Sequence, residues 1–389
     1  MKKIFKLALC AACVIGMMAC DRTGTITTDK EEALQKVAAP YVNNTVIATY
    51  RAMSDEGLKL LASVQQIAEA VANGTDYTQT MVEADANWRA MRKYWEQSEA
   101  FLFGPVDAHA IDPHIDSWPL DFNAMNSLLS NVSQMQDIEE NGIAYVRNNL
   151  GPTLQGFHAC EYLLFESVIQ NGRAVGTGNP HATNLTKAES IYLLGVVSDL
   201  VEQACILEYC WTGEISAAKM QVLEDAEIEP WDDNYGEQLI NAGKAGSLYV
   251  SYQSVAEEIV AGCSDIAGEV ADLKLGNPYL SSTAEERDYI ESPYSCTSTI
   301  DFADNIRSIQ HAYCGAQAGD ACVSDYVKSQ DKELDAKVRK AITDAIAAIE
   351  AIQNFESTAQ NNPQVKAAID KVAELGDLLD KEVLPLLSK

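Results

Sequence analysis

The chain has 389 residues, of which 47% are hydrophobic and 22% charged, and its formal net charge is −29. So acidic a chain makes nucleic acids and anionic membrane surfaces poor partners. Only 11 prolines and 22 glycines interrupt it, residues that favour helices abound, and no stretch alternates as a series of strands would. The composition therefore predicts an all-α fold of one large or two medium domains.

Residues 1–19 predict a signal peptide. Three lysines precede an apolar segment from Leu7 to Met18 that is too short to span a membrane, and Ala19-Cys20 follows. This junction resembles a bacterial lipobox in which Cys20 carries the lipid. An ordinary signal cleaved near Ala19 is the alternative, and both predict export. Residues 20–28 then form the lipidated cysteine and a polar tether, and the protein is expected in the cell envelope, anchored at the outer membrane.

Removal of the signal peptide makes the mature chain still more acidic. It takes away three lysines and no acid, which leaves 25 basic and 57 acidic residues and a net charge of −32. Such a surface favours solubility or the attraction of cations. No later stretch of 18 consecutive apolar residues follows, so no further membrane span is expected.

Helical periodicity covers three segments before the first loop, residues 29–51, 57–71 and 78–103. In the third segment Trp88, Arg92, Trp95 and Glu99 share one stripe of the helical wheel, and Glu96 lies at its edge. Glu96 and Glu99 place two carboxylates one turn apart, where they repel each other unless a cation lies nearby. Arg92 can offset this repulsion, so Glu96 is expected in a salt bridge at the rim, with metal ligation as the alternative.

A polar loop is predicted over residues 104–119. Its imidazole and carboxylate side chains are His109, His114, Asp107, Asp112 and Asp116. They can bind a metal, although polar loops carry such residues by default. Further helices are expected from Asp121, from about Ser133 and from Thr153.

The segment 156–166 carries the strongest candidate ligands. Read as a helix, it places on one stripe Leu154, His158, Glu161, Phe165 and Val168. Because its other sides are also largely apolar, the helix is expected to be buried. A buried imidazole and acid one turn apart need a partner, since an unpaired buried charge is costly. A metal ion would satisfy both, and a core histidine hydrogen-bonded to its own glutamate is the alternative.

The glycine-rich polar stretch 170–186 predicts a linker. It divides the chain into an N-terminal helical bundle, residues 29–175, and a C-terminal bundle, residues 183–389. A capping box, Thr186-x-x-Glu189, opens a helix that runs to about Trp211. Beyond it, helices are predicted over 244–275, over 301–313 and on both sides of Pro363, with a loop over 292–299.

Seven cysteines follow Cys20. Export permits disulfides, and an odd number leaves at least one thiol free within a monomer. Cys160 is the expected free thiol, because it lies about 200° around the helix from His158 and does not share a metal with it. The seven include no Cys-x-x-Cys pair, so a thiolate zinc site is not expected.

The segment Gly156-x-His158-x-x-Glu161, within Gly-Phe-His-Ala-Cys-Glu-Tyr-Leu-Leu-Phe, resembles the signature of the imelysin family. Residues 88–104 followed by 115–119 are similar to that family's early segment. Residues 295–315, with Asp301 and Asn305, resemble its late one. The resemblance spans most of the mature chain in the family's order, and it implies two packed α-helical bundles with the motif near their interface.

The resemblance also implies a function. Members of the family are exported or lipid-anchored bacterial proteins implicated in iron uptake, and some are periplasmic components of importers. The expected ligand is therefore iron or zinc, or an iron-bearing compound, with importer components as candidate partners. Carried over position by position, the metal ligands would be His158, Glu161, Glu99, Glu96 and Asp116. The residues that surround them would be Gly156, Arg92, Trp118, Asp301 and Asn305.

Two other functions stay open. The family has also been named as a peptidase, in which His158 and Glu161 would hold zinc and another glutamate would activate water. The chain lacks the His-Glu-x-x-His pattern of zincins, which weakens this alternative. The third is a structural envelope protein, in which the motif only joins the two bundles.

Overall fold

The computed structural model describes residues 28–170 and 173–389. The predicted signal peptide and the predicted lipid attachment at Cys20 lie outside these residues. The predicted tether also lies outside them, except for its last residue.

Helices account for most of the described chain. In order they begin with α1 Thr28–Pro40, α2 Ile47–Asn73, α3 Thr78–Glu96, α4 Pro105–Ala108, α5 Ile111–Ile115, α6 Phe122–Ser130, α7 Val132–Asn149, α8 Gly156–Leu164, α9 Lys187–Thr212 and α10 Ala217–Asp225. They continue with α11 Tyr235–Ile240, α12 Tyr252–Glu269, α13 Gly276–Leu280, α14 Ala284–Asp288, α15 Ser298–Cys314, α16 Val323–Gln330, α17 Lys332–Glu350, α18 Phe355–Thr358, α19 Pro363–Leu378 and α20 Leu384–Leu387. The predicted all-α fold is confirmed.

Short segments of other helix types join some of these elements. The π-helical segments are Tyr41–Val46, Val270–Leu275 and Leu379–Val383, and the 3₁₀ turns are Glu99–Phe101 and Pro152–Leu154. Because π segments often occur at functional sites, Val270–Leu275 is notable, since it carries a buried lysine that enters the candidate site.

The helices pack in two groups. One contains α2, α3, α7 and α9, and the other contains α12, α15, α17 and α19. Helix α3 and the Glu99–Phe101 turn contact α15, and the same turn also contacts α12, so the end of α3 lies where the groups meet. The two packed bundles implied by the family resemblance are confirmed. Because α9 packs with the first group, that group extends beyond the predicted boundary at residue 175. The division into domains 29–175 and 183–389 stays a prediction.

Helix α9 forms the middle of the first group. Thr186 and Glu189 form the predicted capping box at its start, and Gly213, in the left-handed region at φ 71°, follows its end. In the described part of the chain it is the one helix long and apolar enough to cross a membrane. However, 83% of its most apolar window is buried inside the protein, as in a core helix.

Several predicted boundaries are wrong. The helix predicted over 78–103 ends at Glu96, the predicted loop 104–119 contains α4 and α5, and the helix predicted from 244 begins at Tyr252. Helix α8 ends at Leu164, because Phe165 adopts extended backbone angles and starts a strand. Phe165 and Val168 therefore do not continue the stripe of His158.

The predicted linker is largely a β-hairpin. Strands β1 Phe165–Gln170 and β2 Arg173–Pro180 pair antiparallel, with Val168 opposite Val175. The sequence between them, Asn171-Gly172, is the pair most typical of a two-residue hairpin turn. Strand β2 lies against the segment after α14, since the N–H of Gly178 donates to the carbonyl of Tyr294 at 3.2 Å.

The seven cysteines of the described residues are free thiols, and none of them forms a disulfide with another. Cys160, the expected free thiol, is one of these seven and is buried.

Candidate metal centre

The centre forms where α3, the end of α5, α8 and the segment from Glu291 into α15 converge. The face of α3 that enters it carries the predicted stripe, and Trp88, Arg92 and Trp95 are all buried. The indole N–H of Trp88 donates to the carbonyl of Phe157 at 3.2 Å, which ties α3 to α8. The apolar rings thus fix the helix while its charged residues face inward.

Arg92 lies at the middle of the cluster with 1% of its surface exposed. Its Nη1 donates to Asp116 Oδ1, and its Nη2 lies 2.6 Å from both Glu96 Oε1 and Glu291 Oε1. Its Nε is 3.9 Å from Asp301 Oδ2. Burial lowers the pKa of Arg92, but these four carboxylates outweigh it and hold the pKa well above its usual value. One guanidinium is therefore shared by four acids.

Lys274 supplies a second buried positive charge. Its Nζ donates to Glu291 Oε1 at 3.2 Å and lies 3.8 Å from Glu99, 3.8 Å from Glu269 and 3.9 Å from Glu96. Burial opposes the charge, yet the surrounding carboxylates raise the pKa of Lys274 well above its usual value. The ammonium therefore stays charged among these acids.

His158 bridges two carboxylates of the centre. Its Nε2 lies 3.1 Å from Asp116 Oδ1 and its Nδ1 lies 3.4 Å from Glu161 Oε2. Burial lowers the pKa of His158, but the two acids raise it to about 9. Burial would raise the pKa of Asp116, and the charge of Arg92 together with His158 instead holds it well below its usual value. Asp116 Oδ2 also accepts the indole N–H of Trp95 at 2.6 Å.

Glu161 joins the motif helix to the second half of the chain. Its Oε1 accepts the N–H of Tyr294 at 2.9 Å, the N–H of Ser295 at 2.7 Å and the hydroxyl of Ser295 at 2.7 Å. With one oxygen occupied by three donors, Glu161 orients the imidazole of His158 through the other. Its predicted role as a metal ligand stays a prediction.

Helix α15 supports the remaining acids. Asn305 Nδ2 donates to Glu96 Oε2 at 2.6 Å, and the hydroxyl of Ser292 donates to Asp301 Oδ2 at 2.5 Å. Burial raises the pKa of Asp301 to about 7. Burial, reinforced by neighbouring acids, also raises the pKa values of Glu96 and Glu99 well above their usual range.

The cluster holds more carboxylates than cations. The acids around Arg92, Lys274 and His158 are Glu96, Glu99, Asp116, Glu161, Glu269, Glu291 and Asp301. Asn305 Oδ1 is buried and makes no hydrogen bond to any described residue. Glu96 Oε1, Glu291 Oε2 and His158 Nε2 are held only by ion pairs, 2.6 Å from Arg92, 3.2 Å from Lys274 and 3.1 Å from Asp116 respectively. Seven carboxylates share three cationic side chains, and this excess of negative charge favours an additional cation.

Two sets of three side chains offer ligand atoms within 4.8 Å of one another. One is Asp116, His158 and Glu291, and the other is Glu96, Glu99 and Asp116. Asp116 belongs to both sets, so the two sets adjoin. An imidazole with several carboxylates is a donor set suited to iron, zinc or manganese.

Gly156 allows α8 to approach α5. It has a positive φ of 72°, and a Cβ placed there would lie 2.1 Å from the carbonyl oxygen of Ile115. Only glycine fits such a contact without a shift of the backbone. This close approach brings Asp116, the residue after Ile115, next to His158.

The structure brings the predicted ligands and most of their predicted neighbours together. Trp118 is at the edge, where its ring lies 5.9 Å from Lys274 Nζ. The expected rim position of Glu96 is wrong, because the residue is fully buried. The histidines of the 104–119 segment do not join the centre: His109 pairs with Asp233 at 2.7 Å and His114 with Asp199 at 2.8 Å.

Two central residues were missed from the sequence, Glu291 and Lys274. Lys274 lies in an apolar helical run, where a lone lysine signals a buried partner. Glu291 lies directly before the predicted loop 292–299, whose first residue, Ser292, has a positive φ of 50°. No local pattern links either residue to the motif.

Two packed helical bundles around a buried imidazole and carboxylate cluster define an all-α protein with a candidate metal centre at the bundle junction. The chain belongs to the imelysin family, whose model, described as imelysin and designated peptidase M75, matches residues 46–381.

Known relatives agree with this assignment. The chain is similar to "Iron-regulated protein A" of Synechococcus elongatus, with 25% identity over 388 residues, 97% of this chain and 92% of the relative. It shares the fold of a putative iron-regulated protein A precursor from Parabacteroides distasonis, with a TM-score of 0.74, 24% identity and coverage of 94% and 97%. An imelysin-like protein from Psychrobacter arcticus also shares the fold, with a TM-score of 0.63, 13% identity and coverage of 92% and 96%.

Proposed function

We propose that this protein binds a transition-metal ion, iron foremost, at the central cluster and serves iron acquisition as a lipid-anchored protein of the cell envelope. The observation that carries the proposal is the meeting of two sets of ligand side chains, Asp116 with His158 and Glu291 and Asp116 with Glu96 and Glu99, in a buried cluster that holds more carboxylates than cations. A buried carboxylate without an opposite charge beside it is costly. A bound cation offsets that cost at several atoms at once.

The ligands would be His158 through Nε2, Asp116 and Glu291, with Glu96 and Glu99 on the other side of Asp116. Because Glu96 and Glu99 have raised pKa values, protons compete with the ion for them. The ion also competes with Arg92 and Lys274, which neutralise the same acids. Binding would therefore expel protons or shift a cationic side chain, and the affinity would depend on that exchange.

The name of a curated relative favours iron over zinc as the bound metal. The curated relative of Synechococcus elongatus bears the name iron-regulated protein A, and the donor set accommodates iron. The envelope location is supported by the N-terminal sequence, where Cys20 follows a short apolar segment. A metal-binding protein held at the membrane by a lipid would present its ion to importer components.

Burial favours capture of an ion over hydrolysis. His158, Asp116 and Glu291 expose only 2%, 7% and 0% of their surfaces. A peptidase must bring a peptide bond to the metal, whereas a dehydrated ion needs only a narrow opening. The peptidase therefore ranks second.

Metal titration of the full-length protein, purified in detergent and stripped of metal, tests the proposal. We expect about one Fe²⁺ bound per chain under anaerobic conditions. Glu291→Gln and His158→Gln should each weaken binding by at least about tenfold, the lower end for changes around metal ligands. Glu269→Gln is the matched control, because Glu269 also contacts Lys274 but belongs to neither set of ligand atoms.

Equal Fe²⁺ affinity in the wild type and both ligand variants would contradict the proposal. A casein digest run in parallel separates binding from hydrolysis. Cleavage that requires zinc and disappears in Glu291→Gln would replace ion capture by peptidase activity as the function of the centre.

A further inference from the structure

A second group of metal-ligating side chains lies outside the central cluster. His109 follows α4, Cys210 lies in the last turn of α9, and Asp233 precedes α11. His109 Nε2 is 2.7 Å from Asp233 Oδ2. A ring nitrogen of His109 and a carboxylate oxygen of Asp233 also lie within 4.8 Å of Cys210 Sγ. Three segments distant in sequence thus bring an imidazole, a thiol and a carboxylate to one point, and none of the three belongs to the central cluster.

The group is held in place by Trp231. The indole stacks on the imidazole of His109, with centroids 3.8 Å apart and planes 3° apart. The Trp231 carbonyl also accepts from Cys210 Sγ at 3.5 Å. One residue therefore fixes two of the three side chains from outside, the kind of support that orients ligands in built metal sites.

We propose that His109, Cys210 and Asp233 form a second metal site, which binds a divalent ion of the zinc class and leaves one coordination position for water. Imidazole nitrogen, thiolate sulfur and carboxylate oxygen are the donors that zinc prefers, and three protein ligands plus water is a familiar arrangement for it. The site stands independently of the proposed iron centre.

The charges of the filled site balance. A divalent ion brings two positive charges, the Asp233 carboxylate supplies one negative charge, and Cys210 supplies another after its thiol proton passes to solvent. The ion pairs of the described residues bring no lysine or arginine to these side chains. An incoming ion therefore displaces protons alone: the thiol proton of Cys210 leaves to solvent, and the proton shared by His109 Nε2 and Asp233 moves to Nδ1 or to solvent.

The geometry needs one small adjustment. Two ligands about 2.0 Å from a tetrahedral zinc ion lie about 3.3 Å apart, so His109 and Asp233 would separate slightly from their 2.7 Å contact. The Asp233 side chain is 33% exposed and lies in a connecting segment, so it can move. Its exposure also gives the ion a route from solvent.

A plain histidine–aspartate pair in the same protein offers a contrast. His114 lies 2.8 Å from Asp199 and also interacts with Glu202, which forms an ion pair with Arg147. That group contains no sulfur and already has its cation. The site at His109 differs from this pair in two respects: it contains a thiol, and no lysine or arginine of the described residues forms an ion pair there.

Cobalt titration of the full-length protein, reduced and stripped of metal, tests the proposal. Thiolate ligation of Co²⁺ produces a sulfur-to-cobalt charge-transfer band in the near ultraviolet, and the central cluster contributes no cysteine ligand. We expect a band that saturates at about one Co²⁺ per chain and disappears when Zn²⁺ is added. Cys210→Ser should abolish it, whereas Cys205→Ser, a buried cysteine of the same helix, should retain it.

Asp233→Asn tests the carboxylate without removing the thiol or any buried side chain. The band should remain, but half-saturation should need at least about tenfold more Co²⁺. Absence of the band in the wild type, its survival in Cys210→Ser, or an unchanged titration in Asp233→Asn would each overturn the proposal.

Discussion

His158 and His109 each contact an aspartate, but their surroundings differ. The His158 side chain is 2% exposed and shares Asp116 with Arg92, while Lys274 pairs with the neighbouring Glu291. The His109 side chain is 17% exposed, and its cluster contains sulfur instead of a cationic side chain. In the central cluster a metal must compete with built-in cations as well as with protons, whereas at His109 it competes with protons alone. The comparison shows that counting ligands is not enough, because the charge already present decides what an ion must displace.

Removal of the central cation should have the largest effect. Arg92→Met leaves the acids around it buried without their main positive charge, and in metal-free protein the free energy of unfolding should fall by about 3–5 kcal/mol. Urea denaturation followed by circular dichroism measures this. Added Fe²⁺ should recover part of the loss, because the ion replaces the guanidinium charge.

Arg51→Met is the control for that comparison. Arg51 pairs with Glu208 at 3.1 Å but is 54% exposed, so its loss should cost no more than about 1 kcal/mol. Equal stability of Arg92→Met and the wild type would mean that the central acids need no cation, and the contrast between the two clusters would disappear.

A smaller effect should follow from a methyl group at Gly156. Gly156→Ala should destabilise the protein for two reasons. A left-handed backbone costs a non-glycine residue about 1–2 kcal/mol, and the new Cβ would clash with the carbonyl oxygen of Ile115. Gly74→Ala has a similar φ of 65° but meets no atom within 4 Å, so it isolates the backbone cost. Gly156→Ala should destabilise by about 2 kcal/mol more in thermal or urea unfolding, and it should also weaken Fe²⁺ binding because Asp116 shifts from His158. Identical losses in both variants would show that the approach of α5 to α8 is not strained.

In charge, the group around Glu202 lies between the central cluster and the His109 cluster, since it contains one cationic side chain, Arg147. A change there should have the smallest effect on stability. Burial raises the pKa of Glu202 from its usual 4.5 to about 7, opposed by Arg147 and His114 and reinforced by Asp199. Between these values the folded chain holds a proton that the unfolded chain has released, so stability falls as the pH rises from 4.5 to 7. Glu202→Gln should remove this slope, a difference of about 2 kcal/mol across the window in urea denaturation. Parallel stability profiles for variant and wild type would show that the Arg147 ion pair fully compensates for burial.

Local spacing predicted the parts of the centre that lie on single helices. His158 with Glu161, and Arg92 with Glu96, are each separated by about one turn, and a helical wheel places such pairs on one face. The capping box at Thr186 was found for the same reason, because its two partners are three residues apart.

Long-range partners could not be found in this way. Glu291 reaches Arg92 across 199 positions, and Asp233 reaches His109 across 124. No periodicity connects such residues, and their pairing depends on how the bundles pack. The hairpin at β1 differs from these cases: the glycine-rich composition of the segment favours a linker, whereas the pair Asn171-Gly172 in the same sequence favours a hairpin turn.

The bonds of Glu161 also set an order of events during synthesis. Its donors, Tyr294 and Ser295, follow it by 133 and 134 positions. A ribosome adds that length on the order of ten seconds after the motif has emerged, at ordinary translation rates. Until then α3 and α8 have neither Glu291 nor these donors, so a chain interrupted before residue 291 would carry the whole signature without the centre. A bound ion would therefore distinguish complete molecules, in which the two bundles are packed together, from fragments that contain the same motif.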